Sequence, residues 1–129
     1  MTDQDTVKEY VRAFNAGDIE ALRKVFGPDA LIHGALGWGR FDQIAPIWTQ
    51  LHDSFDMKLE IEQIVEEGDD IVVRFTERGR FVKAFRGQEA TGRTSEVVAI
   101  EWFRMEDGLI ACRWGVRDSA SHFQQLGVS

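Results

Sequence analysis

At Asp56 the chain changes its period. Before it, apolar residues recur three and four apart, as on one face of a helix; after it, they alternate, as on one face of a strand. Helices gathered first and long strands afterwards specify an α+β domain whose helices pack on one face of a mainly antiparallel sheet.

The helical half divides at its glycines. Val7, Tyr10, Val11 and Phe14 form one apolar stripe, and the spacing of Thr6 and Glu9 predicts a capping box at its start. Gly17 closes this helix and Asp18 caps a second, shorter one carrying Ile19, Leu22, Val25 and Phe26. Gly27-Pro28-Asp29 predicts a turn, Ala30 to His33 a short strand, and Gly34 to Gly39 a glycine-rich loop around Trp38. A third helix follows, with Ile44, Ile47, Trp48, Leu51 and Phe55 on its buried side and Pro46 tolerable near its first turn.

In the strand half, Met57, Leu59 and Ile61 alternate with Lys58, Glu60 and Glu62, and Ile71, Val73 and Phe75 alternate with Arg74, Thr76 and Arg78. A further strand runs from about Thr94 to Met105, and Asp107-Gly108 predicts a tight hairpin into the last one. That last strand is read with Ile110, Cys112, Trp114 and Val116 on its apolar face and Arg113 and Arg117 on the other, before Asp118 or Ser119 caps a terminal helix ending at Gly127. The strand from Thr94 is apolar on both faces, through Val97, Ala99 and Phe103 on one and Val98, Ile100 and Trp102 on the other. Helices can cover only one, so the second is expected to be a homodimer interface centred near Trp102.

A chain of 129 residues is enough for one core, and the whole of 1–129 reads as a single domain. Its net charge of −7 is the wrong sign for tracking a phosphate backbone, so no nucleic-acid partner is expected. The single cysteine, Cys112, forms no internal disulfide and is expected in the core. No apolar block stands at the N-terminus or spans a bilayer's width, and a cytoplasmic protein with no membrane partner is expected.

Three stretches resemble the SnoaL-like polyketide cyclases, relatives of ketosteroid isomerase and nuclear transport factor two. They are Tyr10 through Asp18, with Phe14-Asn15-Ala16-Gly17-Asp18 closing the first helix; Gly79 through Arg93, with Gly87 and Thr91-Gly92-Arg93; and Phe103 through Gln125, with Asp107-Gly108, Trp114, Asp118 and Gln124-Gln125-Leu126-Gly127. The resemblance implies a cone-shaped ketosteroid isomerase-like fold, three N-terminal helices on a curved sheet with a short C-terminal helix. It also implies an apolar pocket between helices and sheet in which buried ionisable groups move protons.

Matched residue by residue, Tyr10 falls where ketosteroid isomerases keep an oxyanion-hole tyrosine and Glu101 where they keep a protonated aspartic acid. Gly34 stands in place of their general base, with His33 beside it. Asp118 matches the acid/base aspartate of the SnoaL-like cyclases, while Arg113 and Phe81 replace histidines common there. The candidate catalytic set is therefore Asp118, Glu101, Tyr10 and His33, with Phe14, Trp38, Trp48, Phe75, Glu77, Phe103 and Trp114 lining the pocket.

Each candidate has a structural alternative. A carboxyl group in an apolar pocket is pushed toward its neutral, proton-donating form by desolvation, which is the reading taken for Glu101; the alternative is pairing with a basic residue such as Arg74 or Arg113 across neighbouring strands. Asp118 could be a plain helix cap, Tyr10 a core residue and His33 a structural hydrogen-bonder, while His52 and His122 read as surface or helix-edge residues. The histidines share no ligand spacing, so no metal is expected, and the glycine loop lacks a nucleotide-binding order, so no cofactor is expected. The expected activity is cofactor-independent isomerisation or cyclisation of a small hydrophobic carbonyl compound by carboxylate acid/base chemistry. Alternatives are a non-catalytic domain binding such a molecule, and an epoxide hydrolase-like or dehydratase-like enzyme.

Overall fold

The computed structural model describes residues 1–34 and 37–128; Ala35 and Leu36 of the glycine-rich loop, and Ser129, lie outside the described residues. Helix α1 (Asp3–Ala16) begins one turn before the expected start, because Thr2 and Asp5 form the capping box. Thr2 Oγ1 accepts from the Asp5 N–H at 3.1 Å and Asp5 Oδ2 accepts from the Thr2 N–H at 3.0 Å. Thr6 is then mid-helix and its hydroxyl ties α1 to the Gly108 carbonyl at 3.1 Å. Gly17 ends the helix in the left-handed region and Asp18 caps α2 (Ile19–Val25) through the Ala21 N–H, both as expected.

Strand β1 (Phe26–Gly34) absorbs the stretch expected to turn, with a register irregularity between Phe26 and Leu31 where Gly27-Pro28-Asp29 sits. A short β2 (Gly37–Gly39) pairs back on it, where only loop was expected. Helix α3 (Phe41–Phe55) carries Pro46 beyond its first turn, so one interior hydrogen bond to Asp42 is given up. Strands β3 (Lys58–Glu67), β4 (Asp70–Arg80), β5 (Thr94–Glu106) and β6 (Leu109–Arg117) follow, then α4 (Ser119–Leu126). Asp107 and Gly108 both take positive φ, 53° and 78°, which gives the tight β5–β6 hairpin the primed turn that matches strand twist.

The six strands form one curved sheet in the order β2-β1-β6-β5-β4-β3, parallel only between β1 and β6. The α+β cone expected from the sequence is the fold found. Helices α1 to α3 cover one face, where Tyr10, Phe26, Trp48, Phe55, Phe75 and Phe103 are buried. A second aromatic group, Phe55, Phe81, Phe85 and His122, fills the space under the 81–93 hairpin. The opposite face of the sheet is uncovered, with Val98, Ile100, Trp102, Trp114 and Val116 exposed along β5 and β6. Among the described residues no helix is long and apolar enough to cross a membrane.

Candidate functional site

Strand parity decides what reaches the interior. On β5 the odd positions Ser95, Val97, Ala99, Glu101, Phe103 and Met105 are buried and the even ones exposed, and β4 sends Ile71, Val73, Phe75 and Glu77 to the same side. On β6 the register slips: Arg104 faces Cys112, but Met105 faces Ile110, so Ala111 is an extra residue. The bulge flips the parity after Ile110. Arg113, Gly115 and Arg117 therefore point inward, while Cys112, Trp114 and Val116 share the outer face. This corrects the expected grouping of Ile110 with Cys112 and Trp114. Cys112 is accordingly half-buried on the outer face and not in the core, and burial pushes its thiol up.

Between the sheet and the helices these residues enclose a cavity of about 270 Å³. Its helix side is apolar, from Phe14 on α1 and Ile44, Ile47, Trp48 and Leu51 on α3, and Met57 and Leu59 continue that wall. Its floor is polar, built from Glu77, Glu101, Arg113 and Arg117, with Ser119 at the start of α4.

The two inward carboxylates are both paired with arginines. Glu101, 4% exposed, takes the Tyr10 hydroxyl at 2.6 Å and the Arg113 Nε at 2.7 Å on the same oxygen, Oε1. Its Oε2 has no donor among the described residues. Glu77, 2% exposed, is held at both oxygens by Arg117, which reaches across Ala99 on β5 to do so, at 2.8 Å from Nε to Oε1 and by Nη2 to Oε2. Burying four charges is tolerable because each has an opposite charge in contact. One terminal nitrogen of each guanidinium, Nη2 of Arg113 and Nη1 of Arg117, makes no hydrogen bond to a described residue.

Arg113 is further fixed by its Nη1 donating to the His33 carbonyl at 2.9 Å and by the Trp48 ring, 5.6 Å from its guanidinium carbon. Burial works against its charge, but Glu101 and then Tyr10 outweigh that, so the guanidinium is held above its ordinary value. Burial raises the Tyr10 phenol well above its usual range; Arg113 opposes that rise and Glu101 adds to it. Tyr10 is fully buried behind Glu101, with Phe103 at 5.1 Å and Trp48 at 6.0 Å, and forms no part of the cavity surface.

The other candidates fall elsewhere. Asp118 is an exposed N-cap whose side chain accepts from the Ser121 N–H at 3.1 Å, outside the cavity lining. No aspartate lines the cavity among the described residues. His33 contributes its carbonyl to the wall; its ring lies at 5.0 Å from Trp38, its cross-strand neighbour, on the side of the sheet that carries Trp114. Trp38 and Trp114, expected in the cavity, stack edge to face outside it because both fall on the outer parity. Phe75 and Phe103 do point inward, but the helices pack directly on them and they are core. His122, expected at the surface, is 1% exposed against Phe55 and Phe123, with neither ring nitrogen hydrogen-bonded.

The site thus brings Glu101, Tyr10, Glu77, Phe14 and Trp48 together and adds Arg113, Gly115 and Arg117, which were not anticipated there. Their signal was present: two arginines four apart on one strand share a face, and the bulge determines that it is the same face as Glu101. Among the described residues no three His, Cys, Asp or Glu side chains gather as a metal site would require.

The sequence pattern of the SnoaL-like polyketide cyclase family matches residues 4–126. Among solved structures, IdmH from Streptomyces antibioticus, a candidate polyketide cyclase, is similar to this chain at 31% identity and a TM-score of 0.87, covering 99% of this chain and 100% of its own. TsrD from Streptomyces laurentii is 28% identical with a TM-score of 0.85, covering 98% and 95% of the two chains. AclR from Streptomyces galilaeus, a candidate hydroxylase, shares the fold at 23% identity and a TM-score of 0.87, over 97% of this chain and 84% of its own. No functionally curated protein matches the chain.

Proposed function

The chain belongs to the SnoaL-like polyketide cyclase family, and from that premise we propose that it enolises a hydrophobic carbonyl compound held in the cavity, as an isomerase or cyclase needing no cofactor. Glu101 Oε2 removes a proton from the carbon next to the carbonyl. The electron pair of that C–H bond moves onto the carbonyl oxygen, where the free Nη2 of Arg113 hydrogen-bonds the developing charge. The enolate then attacks a second carbonyl in the same molecule, forming a C–C bond while that carbonyl's π pair becomes an alkoxide that takes the proton from Glu101; or, where a C=C is conjugated with the enolate, Glu101 returns the proton to the far end of that system and the double bond shifts. Tyr10 acts through Glu101, donating to Oε1 and so fixing the carboxylate's direction. The apolar wall of Phe14, Ile44, Trp48 and Leu51 selects a hydrophobic, cyclic or aromatic substrate and excludes water from the reaction.

The observation that carries this reading is the division of labour at Glu101: two donors on one oxygen and, among the described residues, none on the other, in a residue of the cavity floor. A second reading, binding without chemistry, is favoured by Glu77, whose two oxygens are both occupied by Arg117 and which leaves that end of the cavity a polar wall only. Deuterium exchange at the α-carbon of tetralone or indanone in D₂O separates them. Native protein accelerates exchange and Glu101→Gln slows it by about a hundredfold or more. Equal exchange by Glu101→Gln, or none by native protein that binds the ketone, refutes the enolisation reading.

The uncovered sheet face is proposed as the surface through which two copies associate, supported by the contiguous exposed side chains Val98, Ile100, Trp102, Trp114 and Val116. Residence in the cytoplasm is likewise a proposal, supported by the single cysteine of the sequence, which has no partner for an internal disulfide.

A further inference from the structure

We propose that Gly115 is a positioning residue of the site: lacking a side chain, it provides the space in which the Arg113 guanidinium lies to meet Glu101. Gly115 is directly opposite Glu101 on β5, and its neighbours two positions away on the inward face of β6 are Arg113 and Arg117. A Cβ built on Gly115 falls inside the Arg113 guanidinium, 2.6 Å from Nη2 and closer still to Cζ and Nη1. Its φ is not in the left-handed region, so the backbone there suits any residue, and the three atoms nearest that Cβ all belong to Arg113.

The consequence follows from what surrounds the guanidinium. Arg113 is boxed by Glu101 on β5, Tyr10 on α1, the His33 carbonyl on β1 and Trp48 on α3. A methyl group at position 115 displaces the end of a flexible side chain and not the strand, and because the displaced Cζ carries the Nε that bonds Glu101, the displacement draws Nε away from that carboxylate. Glu101 is then left buried with Tyr10 as its remaining partner, and the next cation, Arg117, is already committed to Glu77. The inference deepens the enolisation reading, because it concerns how the same carboxylate is held, but it makes a claim about Arg113 that stands without any turnover.

Tyr10 is the single tyrosine of the chain and donates to Glu101, so it is a built-in reporter. Protein labelled with ¹³C at tyrosine Cζ gives one resonance, which reports the hydrogen bond from Tyr10 to Glu101. Gly115→Ala is expected to move that resonance away from its native position. Arg113→Met is expected to do the same, and Gly115→Ala is expected to add nothing in the Arg113→Met background. A Gly115→Ala resonance indistinguishable from native overturns the proposal, as does an undiminished effect in the Arg113→Met background. If Gly115→Ala fails to fold, recovery of folding in the double variant supports the proposal, and failure of both overturns it. Absence of turnover with every ketone would remove the enolisation reading and leave this result intact.

Discussion

Replacing Arg113 by methionine tests whether the floor of the cavity is held by charge pairing or by packing. Methionine keeps most of the apolar stem, so the loss is confined to the guanidinium, its stacking on Trp48 included. That group supplies Nε to Glu101 at 2.7 Å and Nη1 to the His33 carbonyl at 2.9 Å. Without it, Glu101 is a carboxylate at 4% exposure with one neutral donor, the Tyr10 hydroxyl, and the His33 carbonyl loses its charged partner. Removing one member of a buried pair costs about 3–5 kcal/mol, because the other is left uncompensated. For a domain whose total stability is of order 5–15 kcal/mol this is a large fraction.

Urea unfolding followed by tryptophan fluorescence measures it. With a slope of about 2 kcal/mol per molar, the midpoint of Arg113→Met falls by roughly 1.5–2.5 M. Adding Glu101→Leu to the same protein removes the stranded charge, and the double variant is expected to regain about 2 kcal/mol or more, although it has lost every polar contact of the pair. A loss below about 1 kcal/mol in Arg113→Met, or a double variant no more stable than the single one, refutes charge pairing as the source of the effect.

Two further outcomes follow from the same coordinates. Burial, with Arg117 adding, lowers the His122 imidazole from 6.5 to about 4. The unfolded chain therefore takes up a proton that the folded one refuses, so the contribution is complete above pH 6.5 and is lost as pH falls toward 4, worth roughly 3 kcal/mol across that window. His122→Phe should flatten this part of the stability-versus-pH curve in urea unfolding, and an unchanged slope would refute the assignment. On the outer sheet face, Trp102 is 46% exposed between Ile100 and Arg104. Trp102→Glu puts an unpaired charge at the centre of the proposed interface and is expected to convert dimers to monomers in sedimentation velocity at micromolar concentration. Native protein that already sediments as a monomer would end the proposal.

How much of this could be read in the sequence depends on whether a feature is local. The change of period at Asp56, the turn at Asp107-Gly108 and the caps at Gly17, Asp18 and Gly127 need only neighbouring residues, and each appears where the pattern put it. Glu77 and Glu101 could be aligned with Phe75 and Ala99 by alternation alone, and both are buried. Alternation failed at Ala111, because a bulge has no signature in a stretch such as Leu109 to Arg113, and one extra residue moved Trp114 out and two arginines in. His122 was misjudged for a different reason: it packs on Phe55 of α3, which itself meets Phe81 and Phe85 of the 81–93 hairpin, and no local pattern in α4 records their arrival.

The two ion pairs are also the place where this sequence departs from what stability alone favours. A buried arginine and glutamate in contact contribute little or nothing over a well-packed apolar pair of similar volume, since desolvation consumes the attraction. The molecule nevertheless places two such pairs side by side on β4, β5 and β6, with Ala99 opposite Arg117 and with Gly115 leaving the Arg113 guanidinium the space it occupies. An apolar floor would have joined the wall of Phe14, Ile44 and Trp48 into one continuous core and closed the cavity. Charged groups whose remaining donors and acceptors are turned away from protein partners keep it open and polar on one side. That asymmetry, an apolar wall facing a floor on which one carboxylate oxygen and two guanidinium nitrogens have no partner among the described residues, is the arrangement that the proposed enolisation of a hydrophobic ketone uses.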